Sequence, residues 1–276
     1  MSEQSSGLPT PPWWSTREAR KAARGERRRI LHEARDIRRM AKDGPPREPI
    51  TPERLAAAAL HIVDAGGLEA LTVRSLAQEL GVGTMTIYWY VQNKDEILDL
   101  VSDQLLADVV LPPMDPDWRV SARATCKAVR GAMLSHARAL PVMVGRGSFG
   151  PNGLRMIDHS IAVFRNAGFS DQESADAYFA FSNYVTGFSL MQTSNVSVPG
   201  KTEMDRRAYF AMVGQYVMSL PPERYPNLHA TAPRILTASI DERFDFGLDC
   251  LIAGLEARLK SKAADPRAKE VPGGCN

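Results

Sequence analysis

The chain has 276 residues, 44% of them hydrophobic and 24% charged, which is enough apolar content for one small module and a larger one with a buried core. Its formal net charge of +2 is unevenly spread: residues 1–50 hold twelve Lys or Arg against seven Asp or Glu, a net of +5, which leaves a net of −3 on residues 51–276. Cys126, Cys250 and Cys275 form no CxxC pair, no apolar leader opens the chain and no run approaches the roughly 18 apolar residues of a membrane span, so neither a disulfide framework nor a zinc site is suggested, no membrane partner is expected and a cytoplasmic protein is expected.

Residues 1–15 are rich in Ser and Pro and are predicted to be disordered, although Trp13 and Trp14 are unusual company for a tail. From Thr16 to Lys42 the pattern turns helical and basic. Arg27 and Arg28 lie among eleven Lys or Arg there, and Ile30, Ala34, Ile37 and Met40 form a thin apolar stripe. Two readings stand side by side: a solvated helix whose charges aid solubility, or an accessory arm in which Arg27 and Arg28 neutralise DNA phosphates. Binding to a membrane surface is a third, disfavoured by the narrow stripe. Gly44-Pro45-Pro46 ends this helix.

Thr51 as cap and Pro52 at the first helical position open the next helix, which runs to Gly66-Gly67. A short helix then starts at the cap Thr72, with Leu76, Ala77 and Leu80 on its buried face and Arg74 turned outward. Gly81 supplies the left-handed turn and Val82 plugs it. Thr84 is predicted to cap a second short helix whose inner side is Ile87 and Val91, which frees Met85, Thr86 and Tyr88 to face outward. That face carries no carboxylate and suits a polyanion. Thr and Met side chains there are able to contact base edges or a thymine methyl. Tyr88, Trp89 and Tyr90 also admit a plainer reading, an aromatic plug between helices.

These residues, from about Thr51 to Leu100, resemble the tetracycline repressor (TetR) family of bacterial transcription factors. The resemblance rests on Leu71-Thr72-Val73-Arg74-Ser75-Leu76-Ala77, the Leu80-Gly81-Val82 turn, Tyr88-Trp89-Tyr90-Val91 and Asn93-Lys94-Asp95-Glu96-Ile97-Leu98. It implies that Thr84, Met85 and Thr86 face bases, and that Arg74, Tyr88, Tyr90 and Lys94 position the phosphate backbone of double-stranded DNA. Tyr90 departs from the His often found at that place.

Asn93 with Glu96 reads as a capped start for a long helix carrying Ile97, Leu98, Val101, Leu105 and Val109 as far as Leu111-Pro112-Pro113, a mechanical link between modules. Beyond it, helices are predicted near 118–137, 151–167, 171–194, 203–219 and 241–259. No alternating strand is found, so the fold is expected to be all-α, a three-helix helix-turn-helix module followed by a larger helical domain. The expected boundaries are 1–50 for the basic extension, 51–97 for the DNA-binding module, 98–260 for a ligand-binding and dimerisation domain, and 261–276 for a disordered tail. The segments 175–191 and 244–259 are apolar over more than one stripe, and helices of that kind need two partners, one in their own core and one elsewhere. The family resemblance supplies a second subunit, with a homodimer reading a palindromic operator; burial of both helices within one subunit remains the alternative.

Trp118 to Gly153 and Leu220 to Leu228 resemble the C-terminal domain of the tetracycline repressor branch, which implies a small-molecule cavity. Candidate lining residues are Met143, Phe149, Met156, His159, Phe164, Tyr184 and Phe188, with plain core packing as the alternative for each. His159 is the leading polar candidate and His136 the second. The five His residues show no metal-ligand spacing, so neither a metal nor another cofactor is expected. Gly145-Arg146-Gly147-Ser148-Phe149-Gly150 matches GxGxxG, but no strand-helix-strand unit surrounds it, so it reads as a loop at the cavity mouth and only weakly as the dinucleotide site of an enzyme. The expected function is a dimeric repressor released from its operator by a small apolar effector. A regulator without a ligand, or an activator, is the alternative.

Overall fold

The computed structural model describes residues 49–144, 146, 149–193 and 206–264. Arg27, Arg28, Trp13, Trp14 and Cys275 lie outside them. Among the described residues the elements are ten α-helices and two 3-10 turns, with no strand, so the protein is all-α. Chain contacts separate Met1–Pro49 from Ile50–Asn276, and all of these helices belong to the second unit.

Helix α1 (Pro52–Gly66) begins where Thr51 Oγ1 accepts the Arg54 amide at 3.2 Å and Pro52 occupies a position that needs no donor. Leu55, Ala59 and Val63 make its fully buried stripe, and Gly67, at φ +78, turns the chain away. A 3-10 turn (Leu68–Ala70) leads to α2 (Val73–Glu79). Its start is a reciprocal box: Thr72 Oγ1 accepts the Ser75 amide at 3.0 Å while Ser75 Oγ accepts the Thr72 amide at 2.9 Å. Gly81 at φ +66 provides the expected turn, and the Val82 amide closes it on the Ala77 carbonyl at 2.9 Å. Helix α3 (Thr84–Ile87) is a single turn. Its cap is Gly83 rather than Thr84, which is the first helical residue and makes no capping hydrogen bond.

Asn93 Oδ1 accepts the Glu96 amide at 2.9 Å, and the Glu96 carboxylate reaches back to the Gln92 amide at 2.9 Å, so α4 (Lys94–Gln104) starts as its sequence predicts. It ends earlier than predicted. After Gln104 the backbone tightens into three-residue turns, Leu106 onto Asp103, Ala107 onto Gln104 and Val109 onto Leu106, while Leu105, Leu106 and Val109 stay buried. Their spacing imitates a continuing helix because both geometries keep them on the inner side. Burying Leu105 and Leu106 contributes roughly 1.5–3 kcal/mol each.

The larger part comprises α5 (Trp118–Ser135), a 3-10 turn (Leu140–Met143), α6 (Pro151–Asn166), α7 (Asp171–Thr193), α8 (Arg206–Ser219), α9 (Pro226–Thr237) and α10 (Ile240–Ala264). The first four residues of the predicted tail, 261–264, continue α10, and the remainder lies outside the described residues. Helix α9 is not among the predicted helices. Pro226 at its first position and Pro233 inside it read as breakers, yet Pro226 needs no donor there and the helix continues through Pro233 to Thr237. Four ion pairs join α5 to α10 in antiparallel order: Arg119–Glu256 at 2.9 Å, Arg123–Asp249 at 2.5 Å, Lys127–Asp245 at 2.9 Å and Arg130–Asp241 at 2.7 Å. Exposed pairs of this type contribute about 0–1 kcal/mol each, so the ladder sets register more than stability. Arg130 is the exception in burial, lying over the Phe244 ring at 4.5 Å with Gln192 accepting its guanidinium at 2.8 Å.

Candidate functional site

The outer face of the α2–α3 pair is built by contrast along one short stretch. Ile87 is 0% exposed and anchors α3, whereas Met85 is 69% and Tyr88 51% exposed. Thr84, Arg74 and Lys94 are exposed with them, and Thr86 is half-buried at their edge. Large apolar side chains displayed to solvent beside two cations, with no carboxylate on α3, form a surface shaped for another molecule. Tyr90 packs half-buried against the core, the place an aromatic plug takes, while Trp89 stays exposed.

This module is tied to the larger one by charged groups. Asp95, Asp99 and Asp103 stand at four-residue steps on α4. Arg146 donates to Asp95 Oδ1 at 2.6 Å and Asp99 Oδ1 at 2.7 Å, and Asp103 accepts the amides of Asn152 at 3.3 Å and Gly153 at 2.8 Å. Asp103 therefore caps the N-terminus of α6, and a Cβ at Gly150 would collide with its carboxylate. At the other side His136, just past α5, meets Asp64 of α1 at 2.6 Å and Asp108 at 3.1 Å. Arg138 donates to the carbonyl oxygens of Asp64 and Ala65 at the end of α1. Burial pulls the His136 pKa down, but the hydrogen bonds its ring donates to both carboxylates outweigh it, so the imidazole titrates above its ordinary range.

Between α5, α6 and α7 lies a mostly apolar cavity with about 530 Å³ of atom-free space, its mouth included. Helix α5 gives it Thr125, Cys126, Val129 and Met133; α6 gives Met156, Ser160 and Phe164; α7 gives Tyr178, Phe181, Ser182 and Thr186. Of the predicted lining residues, Met143, Met156 and Phe164 are present. Four are not. Phe149 is 57% exposed before α6, and Tyr184 and Phe188 turn to α10, where Tyr184 Oη donates to the Phe244 carbonyl at 2.7 Å and the Phe188 and Phe244 rings lie 5.2 Å apart. His159 stands behind the wall, 3.3 Å from Thr125 Oγ1, and burial with the nearby Arg155 charge lowers its pKa. Burial pushes the Cys126 thiol up to about 12.

Helices α7 and α10 run antiparallel, pinned by Lys262–Glu173 at 2.8 Å. Their outward face carries Phe179, Gly187 and Met191 on α7 and Phe246, Cys250 and Gly254 on α10, all exposed. A Cβ added at Gly187 or Gly254 would meet nothing within 4 Å, so this face is flat and open.

The GxGxxG segment lacks the frame a dinucleotide site needs. The apolar run before it is the 3-10 turn Leu140–Met143 and not a strand, and Arg146 from its middle is held by α4. Among the described residues no group of His, Cys, Asp or Glu is arranged to hold a metal ion, and no helix is long and apolar enough to cross a membrane.

Two family descriptions match the chain: "Bacterial regulatory proteins, tetR family" over residues 55–101 and "Tetracyclin repressor-like, C-terminal domain" over residues 111–259. The chain is 29% identical over 223 residues to the HTH-type transcriptional repressor DrrR1 of Streptomyces coeruleorubidus, covering 80% of this chain and 82% of that one. It is 30% identical over 211 residues to the tetracycline repressor protein class G of Vibrio anguillarum, covering 74% and 92%. Among solved structures it resembles ActR from Streptomyces coelicolor in complex with actinorhodin, with a TM-score of 0.68, 34% identity and coverage of 81% and 100%.

Proposed function

The chain belongs to the TetR family of bacterial regulatory proteins, and on that premise we propose that it is a dimeric transcriptional repressor that holds a palindromic operator and lets go when a small effector fills the cavity between α5, α6 and α7. The observation that carries this reading is the display of Met85 and Tyr88 to solvent on the same short turn whose Ile87 is fully buried. Nothing in folding favours exposing them; a DNA groove does. Arg74 and Lys94 beside them supply phosphate contacts.

The α7 and α10 face supports a homodimer, because its open glycines allow two copies to approach closely along four helices. A two-fold pairing is also what sets two α3 helices about 34 Å apart, one turn of duplex, and so favours a palindrome. The corresponding boundaries are 51–97 for the DNA-binding module and 98–260 for the effector and dimerisation domain, in the cytoplasm where the operator lies. Of the two readings of residues 1–50 we propose the accessory arm, in which Arg27 and Arg28 neutralise further phosphates.

The repressor names of DrrR1 and the class G protein, and the ActR complex with actinorhodin, favour repression relieved by a small molecule over activation or a ligand-free regulator. Release needs an effector that binds one conformer better than another, and the difference sets the extent of the shift. The test begins with genomic footprinting of the purified protein to find its operator. Replacing Thr86 and Tyr88 with Ala should then weaken operator binding at least tenfold while the dimer persists. Unchanged binding by that variant would overturn the reading.

A further inference from the structure

His136 stands where the two modules meet, and both of its ring nitrogens are engaged. Its Nδ1 lies 2.6 Å from Asp64 Oδ2, in the last turn of α1, and its Nε2 lies 3.1 Å from Asp108 Oδ2, in the turns that follow α4. The residue itself follows α5, and in the chain it falls between Met133 and Met143, both of which line the cavity. One imidazole therefore ties the DNA-binding module at two points to the segment that walls the cavity.

Each carboxylate needs a donor from the ring. Only the imidazolium carries two N–H groups, whereas the neutral ring has one and presents a lone pair from its other nitrogen. Loss of the proton thus strands one carboxylate, and burial decides which. The Asp64 contact is the shorter and its side chain is 29% exposed, while that of Asp108 is 68% exposed and can take water instead. The two carboxylates, no longer separated by a positive charge, also repel each other. The other charged groups on the elements packed here are engaged elsewhere: Arg138 with the Asp64 and Ala65 carbonyls, Arg155 of α6 with the Val109 carbonyl at 3.1 Å, Asp103 with the α6 amides, and His61, one turn back on α1, with Glu79 at 2.9 Å.

We propose that the proton on His136 is a second regulatory input: while bound, it holds the end of α4 against the end of α5 and keeps the DNA-binding module in its seat, and its loss frees Asp108 and weakens operator binding as pH rises. This rests on the reading of the chain as an operator-binding dimer and adds to it an input distinct from the effector. Two recognition helices reach successive grooves only while each module keeps its place. A module freed at one joint must be ordered again on the duplex, which costs conformational entropy and lowers affinity. Because the folded pKa is raised, the bridge is intact below the unfolded value near ~6.5 and is lost as pH climbs through the folded one. The proton and a molecule in the cavity act on the same short segment, so each biases the position of the other's joint.

The experiment measures, by fluorescence anisotropy at constant salt, the affinity of the full chain for the operator found by footprinting, at pH 6 and at pH 8.5, for the native chain and for His136→Gln and Asp108→Asn. Native affinity should fall at least threefold over that interval, and each variant should lose most of the fall. His61, exposed on the same module, is present in all three proteins and cancels. Hydrogen exchange at residues 105–110, corrected for the intrinsic effect of pH, should quicken over the same interval in the native chain and not in the variants. Thermal melting shows whether His136→Gln folds, and Asp108→Asn, at a largely exposed side chain, carries the test if it does not. A fall of the same size in the variants, a native affinity that rises with pH, or exchange at 105–110 that ignores pH each overturns the inference. Absence of operator binding at every pH would instead sink the regulator reading, and exchange alone would then decide whether a proton works this joint.

Discussion

Asp103, in the last turn of α4, caps a helix other than its own: its carboxylate accepts the Gly153 amide at 2.8 Å. The residue that ends the DNA-binding module's linking helix thus begins α6, whose Met156 faces the cavity. A displacement of α6 by a bound molecule is therefore felt at α4 through a carboxylate and two backbone amides, with Arg146 tying the preceding loop to Asp95 and Asp99 on the same stripe.

Replacing Asp103 with Ala removes that cap. The expected cost is about 1 kcal/mol of stability, with faster hydrogen exchange at the Asn152 and Gly153 amides. Asp103→Asn, which keeps an acceptor, should restore part of both. Hydrogen exchange followed by mass spectrometry reads the effect, and unchanged protection at 152–153 in the Ala variant would mean that the cap contributes nothing.

His136 makes a pH dependence. With Asp64 on one nitrogen and Asp108 on the other, both ring nitrogens must donate, so the bridge needs the imidazolium, and the folded pKa is raised. A raised pKa contributes stability that is fully present below the unfolded value near ~6.5 and is lost as pH rises through the folded value. The stability difference between the native chain and a His136→Gln variant should therefore be larger at pH 6 than at pH 8.5, measured by urea unfolding. A difference that does not vary with pH would contradict the bridge.

The open face of α7 and α10 gives a dimer test that spares the monomer. Gly254 has nothing within 4 Å of where a Cβ would stand, so the side chain of Gly254→Arg starts into open space on its own subunit. Its bulk and charge fall where a second copy would pack. Sedimentation should show a folded monomer with native helix content and operator affinity reduced at least a hundredfold, because one recognition helix cannot bridge two half-sites. A variant that stays dimeric would place the interface elsewhere.

How far the sequence reaches depends on whether the physics is local. Thr72, Gly81 and Asn93 act on residues within four positions of themselves, so the caps of α2 and α4 and the turn between α2 and α3 are legible, whereas the cap of α3 falls on Gly83 and not on Thr84. Helix α7 is apolar over more than one stripe, so which side meets the cavity and which meets α10 is decided by neighbours distant in sequence. That is why Tyr184 and Phe188 resemble cavity residues in the sequence and are not. Tyr178, Ser182 and Thr186, at steps of four, mark the face that does line the cavity, a signal muted because Ser and Thr carry little weight in a hydrophobic pattern. The end of α4 is illegible for a related reason: the partners of Asp103 lie about fifty residues on.

Phosphate contacts and base contacts should separate experimentally once the operator is known. Arg74 and Lys94 are exposed cations flanking α3, and a phosphate contact carries no sequence information. Arg74→Ala and Lys94→Ala should each weaken all DNA sequences alike and flatten the slope of log K against log salt by about 0.9. Deleting residues 1–45 should flatten it further, by ~0.9 for every phosphate that Arg27, Arg28 and their neighbours neutralise, and an unchanged slope would reduce that extension to a solvated helix. Met85→Ala and Thr86→Ala should behave oppositely, keeping the slope while narrowing the gap between operator and altered operator by about 1–3 kcal/mol per base read. Fluorescence anisotropy with labelled duplexes at four salt concentrations measures both quantities at once. If Met85→Ala changed the slope and left the gap untouched, α3 would be lying along the backbone instead of in the groove.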